Sequence, residues 1–312
     1  MTKTKFSRKE FLQLGIGALG ASVLASSGIG RMAIGQEGML RRPIHSSGEY
    51  IHAVGLGTAL EFGTYDTQEE FMMRRNAIEA LLTNGGSVID TSPTYRRAEH
   101  VVGRALDELG MRDKAFLATK ISIPGQDDGV RQNTQSAIDL RSDKYELLQV
   151  HNLRDTAKHM ETIMGLKEKG KVKYTGITHF RENRNEDLVK AMEEFPVDFI
   201  QCQYNILDRS IEDSVLPAAL ELGIAIMINV PFARGRLFKA TSGLEVPEWS
   251  QEFGIDTWGK FFLKFILSHK AVTVAIPGTI HVRHVLDNLG ALRGPLPNNA
   301  ERERMAEYIQ SL

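Results

Sequence analysis

Short apolar segments with strand character alternate with longer segments of helical periodicity along most of the chain. The first seven apolar segments start 25 to 35 residues apart, which is the length of one strand followed by one helix. The eight predicted strands begin at His52, Ser87, Ala115, Glu146, Lys173, Phe199, Ile224 and Val272. Strands that alternate with helices in this way are typical of an α/β protein with a parallel sheet.

The segments between the predicted strands carry residues typical of helix C-termini. Four of them close on a glycine, which suits the turn from a helix into a strand: Gly85, Gly110, Gly170 and Gly223. Eight strand–helix units of one composition predict an α/β fold, a (β/α)8 TIM barrel. A doubly wound Rossmann-type sheet is the alternative, but no Gly-x-Gly-x-x-Gly motif follows any predicted strand.

Two predicted elements lie outside the eight units, and one connection between units is long. Residues 39–50 predict an N-terminal β-hairpin that closes the bottom of the barrel, and residues 299–312 predict an extra C-terminal helix. The seventh and eighth strands start 48 residues apart, so residues 231–258 form an elaborated loop. This loop is either a lid over a ligand or a packing insertion.

A basic and weakly apolar segment, residues 1–35, precedes the hairpin. It ends at Ala33-Ile34-Gly35, a small-x-small cleavage pattern. Within it, SRKEFLQLG resembles a twin-arginine export signal, with Lys9 in place of the second Arg. The segment is predicted to be a signal peptide that engages the export machinery without stable membrane insertion. The general secretory route and a cytosolic N-terminal extension are the alternatives.

Export would leave residues 36–312, a single barrel domain, in the periplasm or another extracytoplasmic space. The whole chain has 38 basic and 39 acidic residues, and residues 36–312 have 33 and 38, so the mature domain is mildly acidic. This charge excludes a generally basic nucleic-acid binder. The single cysteine, Cys202, excludes a disulfide framework and is predicted to be a small buried apolar residue.

Ionisable residues close three consecutive predicted strands. Asp90 ends the second, Lys120 the third and His151 the fourth, and Tyr95 follows Asp90 by five positions. Active sites of (β/α)8 barrels lie at the carboxyl ends of the strands. Buried ionisable groups are costly unless they pair with one another, so these residues are predicted to share one cavity.

The residues around these positions resemble the aldo-keto reductase superfamily from about Met39 to the C-terminus. The matching strings occur in the family's order: VIDTSPTYRRAEHVVGRAL, FLATK, LLQVHN, GITHF, QCQYN, PFARGRL and AIPGT. The resemblance places the family's catalytic tetrad on Asp90, Tyr95, Lys120 and His151. Four residues depart from the family pattern: Arg96 replaces a glycine, Thr178-His179 replaces a Ser-Asn pair, and Asn229 replaces an aromatic residue.

The resemblance implies reduction of a small-molecule carbonyl by hydride transfer from NAD(P)H. Tyr95 would donate the proton, Lys120 would stabilise the resulting tyrosinate, Asp90 would hold Lys120 charged, and His151 would position the carbonyl oxygen. This chemistry needs no metal, and a zinc-dependent barrel hydrolase has little support because no His-x-His motif follows the first strand.

The resemblance and the predicted strand ends also suggest a nucleotide site. The expected contacts are Gly57 and Thr58 for the ribose, Thr178, His179 and Gln201 for the carboxamide, Phe232, Arg234 and Gly235 for the pyrophosphate, and Thr279, Arg283, His284 and Asn288 for the adenosine half. Asp90 is also expected in the cofactor site. A helix predicted to open near Thr279 would supply an anion site. The basic pair Arg283 and His284 favours NADP over NAD, which is the alternative cofactor.

Two other functions are compatible with the sequence. A redox-sensing subunit of the same fold could bind the nucleotide with negligible turnover. A cofactor-free lyase or isomerase could use Lys120 as a Schiff-base amine.

Overall fold

The computed structural model of the chain describes residues 34–35 and 38–312. The predicted signal peptide lies outside the described residues, apart from Ile34 and Gly35 at its end. These two residues form β1 (Ile34–Gly35), which pairs antiparallel with β2 (Met39–Ile44).

Eight parallel strands form the barrel, and each pairs with its neighbours in chain order. They are β4 (Leu56–Gly57), β5 (Val88–Asp90), β6 (Phe116–Ile121), β7 (Tyr145–Val150), β8 (Val172–His179), β9 (Phe199–Gln203), β10 (Ala225–Asn229) and β11 (Val274–Ala275). The parallel bridges Val54–Ala275 and Gly57–Gly278 join the first strand to the last. The predicted (β/α)8 fold is confirmed.

Helices connect the strands and cover the outside of the barrel. They are α1 (Gln68–Thr83), α2 (Ala98–Leu109), α3 (Gln126–Asp139), α4 (Thr156–Glu168), α5 (Asn185–Glu194), α6 (Val215–Glu221), α7 (Arg236–Ala240), α8 (Trp258–Leu267), α9 (Val282–Gly290) and α10 (Asn299–Gln310). The four glycines predicted to end helices all have φ between 61° and 96°, the left-handed region that glycine adopts without steric cost.

The predicted hairpin closes the bottom of the barrel. It consists of β2 and β3 (Glu49–His52), which pair from Arg41–His52 to Ile44–Glu49. Ile44 and Ile51 belong to the apolar cluster that fills the lower barrel together with Val88, Phe116, Ala118, Leu147, Tyr174, Phe199, Ala225, Met227, Val274 and Ile276. The polar residues are therefore left to the upper end of the strands.

The first and last barrel strands are shorter than the sequence pattern predicts. His52 belongs to β3 of the hairpin, and the barrel strand starts only at Leu56. Gly57 lies where the two strands meet: a Cβ there would be 2.7 Å from the carbonyl oxygen of Ile276. Only a glycine permits this approach, so the closure of the barrel depends on Gly57.

The long connection between β10 and β11 contains short helical segments rather than an open loop. These are a 3-10 turn at Ala233–Gly235, α7, and a second 3-10 helix at Glu248–Phe253. Leu237, Phe253 and Ile255 are buried against the barrel, and the Trp258 indole nitrogen donates to the carbonyl of Leu244 over 2.8 Å. These contacts favour a packing insertion over a detached lid.

The extra C-terminal helix is anchored through one arginine. Arg302 is buried, and its guanidinium donates to the carbonyl of Phe265 (3.2 Å), to the carboxylate of Glu212 (2.7 Å) and to the hydroxyl of Tyr204.

Cys202 is buried as predicted, and burial raises the pKa of its thiol to about 12. Within the described part of the chain, no helix is long and apolar enough to cross a membrane.

Candidate active site

The four predicted catalytic residues meet at the upper end of the barrel. Asp90 is the last residue of β5, Lys120 lies near the end of β6, and His151 directly follows β7. The Lys120 ammonium donates to both carboxylate oxygens of Asp90 and to the carbonyl of Thr91, each over 2.8 Å. Lys120 is fully buried and Asp90 is 2% exposed, so water hardly weakens this ion pair.

Tyr95 lies above the ion pair and beside His151. The Lys120 nitrogen is 5.1 Å from the centre of the Tyr95 ring, and the His151 ring meets that ring edge-on with centroids 6.1 Å apart. Burial raises the pKa of the Tyr95 hydroxyl above its ordinary value, and the neighbouring Lys120 ammonium partly offsets the increase. The phenol is therefore protonated at neutral pH and able to act as an acid.

The charges of Lys120 and His151 follow from their surroundings. Burial alone would lower the pKa of Lys120, but attraction to Asp90 and Tyr95 outweighs burial and raises it. Burial lowers the pKa of His151 to about 3, and the positive charge of Lys120 adds to this effect. At neutral pH the site thus combines a cationic lysine with a neutral imidazole.

Two glutamines support Asp90. The side-chain amide of Gln201 donates to Asp90 Oδ1 over 2.9 Å, and that of Gln149 donates to the same oxygen over 3.3 Å. The amide nitrogen of Gln201, a predicted carboxamide contact, is therefore directed at Asp90. The sequence analysis missed Gln149. It lies two residues before His151, and side chains two residues apart along a strand point to the same face of the sheet.

The residues predicted to contact the nicotinamide and its ribose line the same end of the barrel. The Thr58 hydroxyl and backbone N–H both donate to the carbonyl of Asp90, over 3.0 and 3.1 Å. Thr178 and His179 end β8. The Thr178 hydroxyl accepts from the backbone N–H of Asn152 over 3.1 Å, and His179 Nδ1 accepts from that of Arg181 over 3.1 Å.

Two buried asparagine oxygens at this end of the barrel have no donor. They are Oδ1 of Asn152, just after β7, and Oδ1 of Asn229, the last residue of β10. A buried polar atom without a partner is costly, and a ligand with N–H donors would remove that cost. The amide of a nicotinamide has such donors, so the residues present fit this group.

A basic surface follows β8 and β10, where phosphates are expected. The guanidinium groups of Arg181 and Arg234 each lie 5.6 Å from the centre of the Phe180 ring, so the two cations flank one aromatic side chain. Arg234 has φ of 56° and Gly235 has φ of 84°, which bends the backbone sharply after Phe232. Arg181 was missed by the sequence analysis because the family strings end at Phe180.

The region after β11 differs in one respect from the prediction. The helix begins at Val282, with His281 as its N-cap, and not near Thr279, because the Thr279 side chain turns the chain first. The Thr279 hydroxyl accepts from the backbone N–H of His281 over 3.1 Å and lies 3.2 Å from His284 Nδ1. Asn288 is buried, near Gly259 of α8.

Arg283 and His284 are linked to each other. The Arg283 Nε donates to His284 Nε2 over 3.3 Å, which leaves Nδ1 to carry the imidazole hydrogen and donate it to Thr279. Burial lowers the pKa of His284, and Arg283 lowers it further. The formal positive charge at this position therefore belongs to Arg283.

The backbone after Tyr95 adopts a conformation that favours glycine. Arg96, which replaces the family's glycine, has φ of 54°. The loop after β4 packs tightly against this turn: a Cβ on Gly63 would lie 2.2 Å from the carbonyl oxygen of Tyr95. Gly63 thus permits the close packing that holds the turn, and the side chain of Arg96 projects from it.

Behind β6, Glu99 of α2 is buried and bound to two hydroxyls. The hydroxyls of Thr119 and Ser136 donate to its two carboxylate oxygens, the second over 3.0 Å. Burial raises the pKa of Glu99 to about 7, and the two hydrogen bonds limit the increase. Glu99 is 3% exposed and lies next to the strand that carries Lys120.

We expect Glu99→Gln to change the pH dependence of stability. A carboxyl with a raised folded-state pKa binds its proton more tightly when folded, so the free energy of unfolding falls as pH rises from 4.5 to about 7. In denaturant titrations, the free energy of unfolding of the variant relative to that of the wild type should increase by about 1 to 3 kcal/mol between about pH 4 and pH 8. The exposed Glu69→Gln is the control and should show no such gain.

Comparisons with known proteins identify the family of the chain. A family model described as "Aldo/keto reductase family" matches residues 53–305. Aldo-keto reductase YhdN of Bacillus subtilis is 30% identical over 206 residues, which cover 59% of this chain and 59% of that protein. The match therefore spans less than two thirds of that relative's length.

Solved structures show the same fold. An aldo/keto reductase from Klebsiella pneumoniae in complex with NADP and acetate has a TM-score of 0.71 at 23% identity, and the match covers 86% of this chain and 94% of that one. A Klebsiella pneumoniae aldo-keto reductase in complex with NADPH has a TM-score of 0.72 at 24% identity, over 87% of this chain and 96% of that one. Since the family model covers most of the barrel, the chain belongs to the aldo/keto reductase family.

Proposed function

We propose that this protein reduces an aldehyde or ketone to an alcohol with NADPH, and that Tyr95 is the general acid. The observation that carries the proposal is the arrangement of Tyr95 beside the buried Lys120–Asp90 pair and the neutral His151. A neutral phenol next to a buried ammonium can release its proton and leave a stabilised anion. The substrate is a small carbonyl compound bound against Tyr95 and His151.

Each of the four residues has a separate task. Tyr95 transfers its hydroxyl proton to the carbonyl oxygen as negative charge develops there, and Lys120 stabilises the phenolate that remains. Asp90 holds Lys120 charged and in place through hydrogen bonds to both carboxylate oxygens. The neutral imidazole of His151 orients the carbonyl oxygen. A dihydronicotinamide bound in this site would supply the hydride.

Three features of this chain support a nicotinamide dinucleotide as the cofactor, and the third favours NADP. The unpartnered oxygens of Asn152 and Asn229 suit a carboxamide, and Arg181 and Arg234 suit a pyrophosphate. Arg283 carries the charge that a 2'-phosphate would meet. The two Klebsiella pneumoniae neighbours are complexes with NADP and NADPH. NAD is the alternative, and it lacks the phosphate that Arg283 would bind.

We expect NADPH to bind more tightly than NADH. Arg283→Leu should reduce the ratio of the NADH dissociation constant to the NADPH dissociation constant about tenfold, since it removes one charge-assisted hydrogen bond. Added salt should reduce the wild-type ratio because the discriminating contact is ionic. Nucleotide fluorescence titrations provide the measurement. Arg131→Leu, on the exposed face of α3, is the matched control and should leave the ratio unchanged; equal wild-type constants at low salt would refute the assignment.

Turnover of NADPH with a panel of aldehydes and ketones tests the reaction itself. Consumption of NADPH that depends on the carbonyl and yields the alcohol is the expected result. Tight nucleotide binding without turnover on any carbonyl would instead favour the redox-sensing subunit.

We propose that the protein is exported, folded, to the periplasm or another extracytoplasmic space. Ser7, Arg8, Phe11 and Leu12 fit the twin-arginine motif, and the apolar stretch after them is diluted by glycine. A nicotinamide enzyme exported unfolded would reach a space where no reduced nucleotide is expected to be supplied. The folded route would allow the barrel to carry its nucleotide across.

The export proposal is tested by replacing Arg8 and Lys9 together with glutamine and fractionating the cells. We expect the protein to accumulate in the cytoplasm. The single replacement of Lys3 is the control, since it removes a basic charge outside the motif and should leave export unchanged. Unchanged export of the double variant, or export that continues without the folded-protein translocase, contradicts the proposal.

A further inference from the structure

Ser92 lies directly behind the proposed active-site histidine. It is the second residue after Asp90 and is fully buried. Its hydroxyl oxygen is 3.3 Å from His151 Nδ1 and 2.9 Å from the hydroxyl oxygen of Thr94. The same oxygen accepts the backbone N–H of Thr94 over 3.3 Å. Ser92 therefore joins the loop that carries Tyr95 to the ring of His151.

The hydrogens in this group can be arranged in two ways. A serine hydroxyl has one hydrogen to donate, and it can go to His151 Nδ1 or to the Thr94 oxygen. If it goes to Nδ1, the imidazole hydrogen must be on Nε2, and the Thr94 hydroxyl can donate to Ser92. If it goes to Thr94, the imidazole hydrogen must be on Nδ1 and be donated to Ser92.

Only the first arrangement suits a carbonyl substrate. A carbonyl oxygen accepts hydrogen bonds, so the nitrogen that meets it must carry a hydrogen, and in a neutral imidazole only one nitrogen does. Burial keeps the ring neutral by lowering the pKa of His151, and the positive charges of Lys120 and Arg154 lower it further. The second arrangement would direct a lone pair of Nε2 at the substrate oxygen.

We propose that Ser92 is a positioning residue that donates its hydroxyl hydrogen to His151 Nδ1 and thereby fixes the Nε2–H tautomer facing the substrate. The proposal rests on the proposed carbonyl reduction for its consequence. The tautomer itself is a property of the protein without substrate. It can therefore be measured whether or not the proposed reaction is correct.

The first experiment determines the tautomer by NMR of the protein labelled with 15N-histidine, at neutral pH. The His151 signals are assigned by comparison with His151→Gln. We expect Nε2 of the wild type to carry the hydrogen and Nδ1 to have the shift of an unprotonated, hydrogen-bonded nitrogen. In Ser92→Ala, the Nδ1 shift should move and the Nδ1–H tautomer should become populated. A hydrogen on Nδ1 of the wild type, or an unchanged His151 spectrum in Ser92→Ala, overturns the proposal.

Thr94→Ala separates the two arrangements independently. If Ser92 donates to His151, loss of the Thr94 hydroxyl leaves the tautomer unchanged. If Ser92 donates to Thr94, the variant removes that acceptor and shifts the imidazole hydrogen from Nδ1 to Nε2. A shift of this kind contradicts the proposal.

The second experiment measures the effect on catalysis. Ser92→Ala should lower kcat by between about 2-fold and 10-fold, the range for one neutral hydrogen bond, with the dissociation constant of NADPH unchanged. Ser136→Ala removes another buried hydroxyl, one that binds Glu99, and should leave kcat unchanged. An equal loss of kcat in both variants would mean that Ser92 has a general structural role. If the wild type shows the Nε2–H tautomer but reduces no carbonyl, the proposed function fails and the hydrogen-bond assignment stands.

Discussion

Lys120→Met is expected to lower kcat for carbonyl reduction by about 10²- to 10³-fold, the usual effect of removing one group that stabilises charge in a transition state. Methionine preserves most of the side-chain length but cannot stabilise the phenolate of Tyr95. It also leaves Asp90 buried without its cation, and breaking a buried ion pair in this way costs about 3 to 5 kcal/mol of stability. Steady-state kinetics and denaturant titrations measure the two effects separately.

A second buried lysine provides the matched control. Lys264 is also fully buried, but its ammonium binds the carbonyl oxygens of Arg293 and Pro295, the second over 3.0 Å. Lys264→Met should lower stability and leave kcat unchanged. The double variant Asp90→Asn/Lys120→Met should regain stability relative to Lys120→Met, because no buried charge is left unpaired, without regaining activity. Full activity in Lys120→Met would exclude this lysine from the chemistry.

Tyr95→Phe is expected to lower carbonyl reduction by roughly two to four orders of magnitude. The substitution removes only the hydroxyl, so the ring contact with His151 and the binding of nucleotide should be preserved. Kinetic assays and nucleotide titrations on the same preparation measure both. The control is Tyr145→Phe, at the start of β7 and hence at the opposite end of the strand from His151. It removes a buried hydroxyl that donates to the carbonyl of Asn133 over 3.5 Å, and turnover should be unaffected.

If Tyr95→Phe retains the activity of the wild type, another group donates the proton. His151 is then the nearest remaining ring, but its pKa near 3 means that it carries no extra proton at neutral pH. In the wild type, the same low pKa predicts no imidazole titration in the rate profile across the neutral range.

Regular spacing made the barrel predictable from sequence. Each predicted strand contains the observed strand or overlaps it, and the four glycines that end helices adopt the positive φ that their positions imply. Only the start of the first predicted strand, at His52, was wrong, because the apolar run covers both the end of the hairpin and the start of the barrel. Periodicity alone does not distinguish two short strands in succession from one longer strand.

The meeting of the proposed catalytic residues was predictable because they follow apolar strands, where an ionisable side chain is conspicuous. Asp90, Lys120 and His151 meet because each lies at the carboxyl end of a parallel strand, and these ends lie at one edge of the sheet. The hydrogen bonds of Gln149 and Gln201 to Asp90 could not be predicted from the sequence. Which uncharged amide meets a carboxylate depends on strand register and on side-chain rotamers. The pairing of Arg283 with His284 was also beyond the sequence, since adjacent residues on a helix do not normally face each other.

The barrel closes where its two shortest strands meet. Both β4 and β11 have only two residues, and Gly57 contributes no side chain to the junction. Local opening of folded proteins concentrates where few hydrogen bonds and few buried contacts join two segments. Gly57 and Thr58 lie on one edge of this junction and Thr279 on the other, so a nucleotide bound as proposed would fasten the edges together. Its affinity would then include the cost of stiffening the barrel, and an empty barrel would exchange its amide hydrogens there faster than a loaded one.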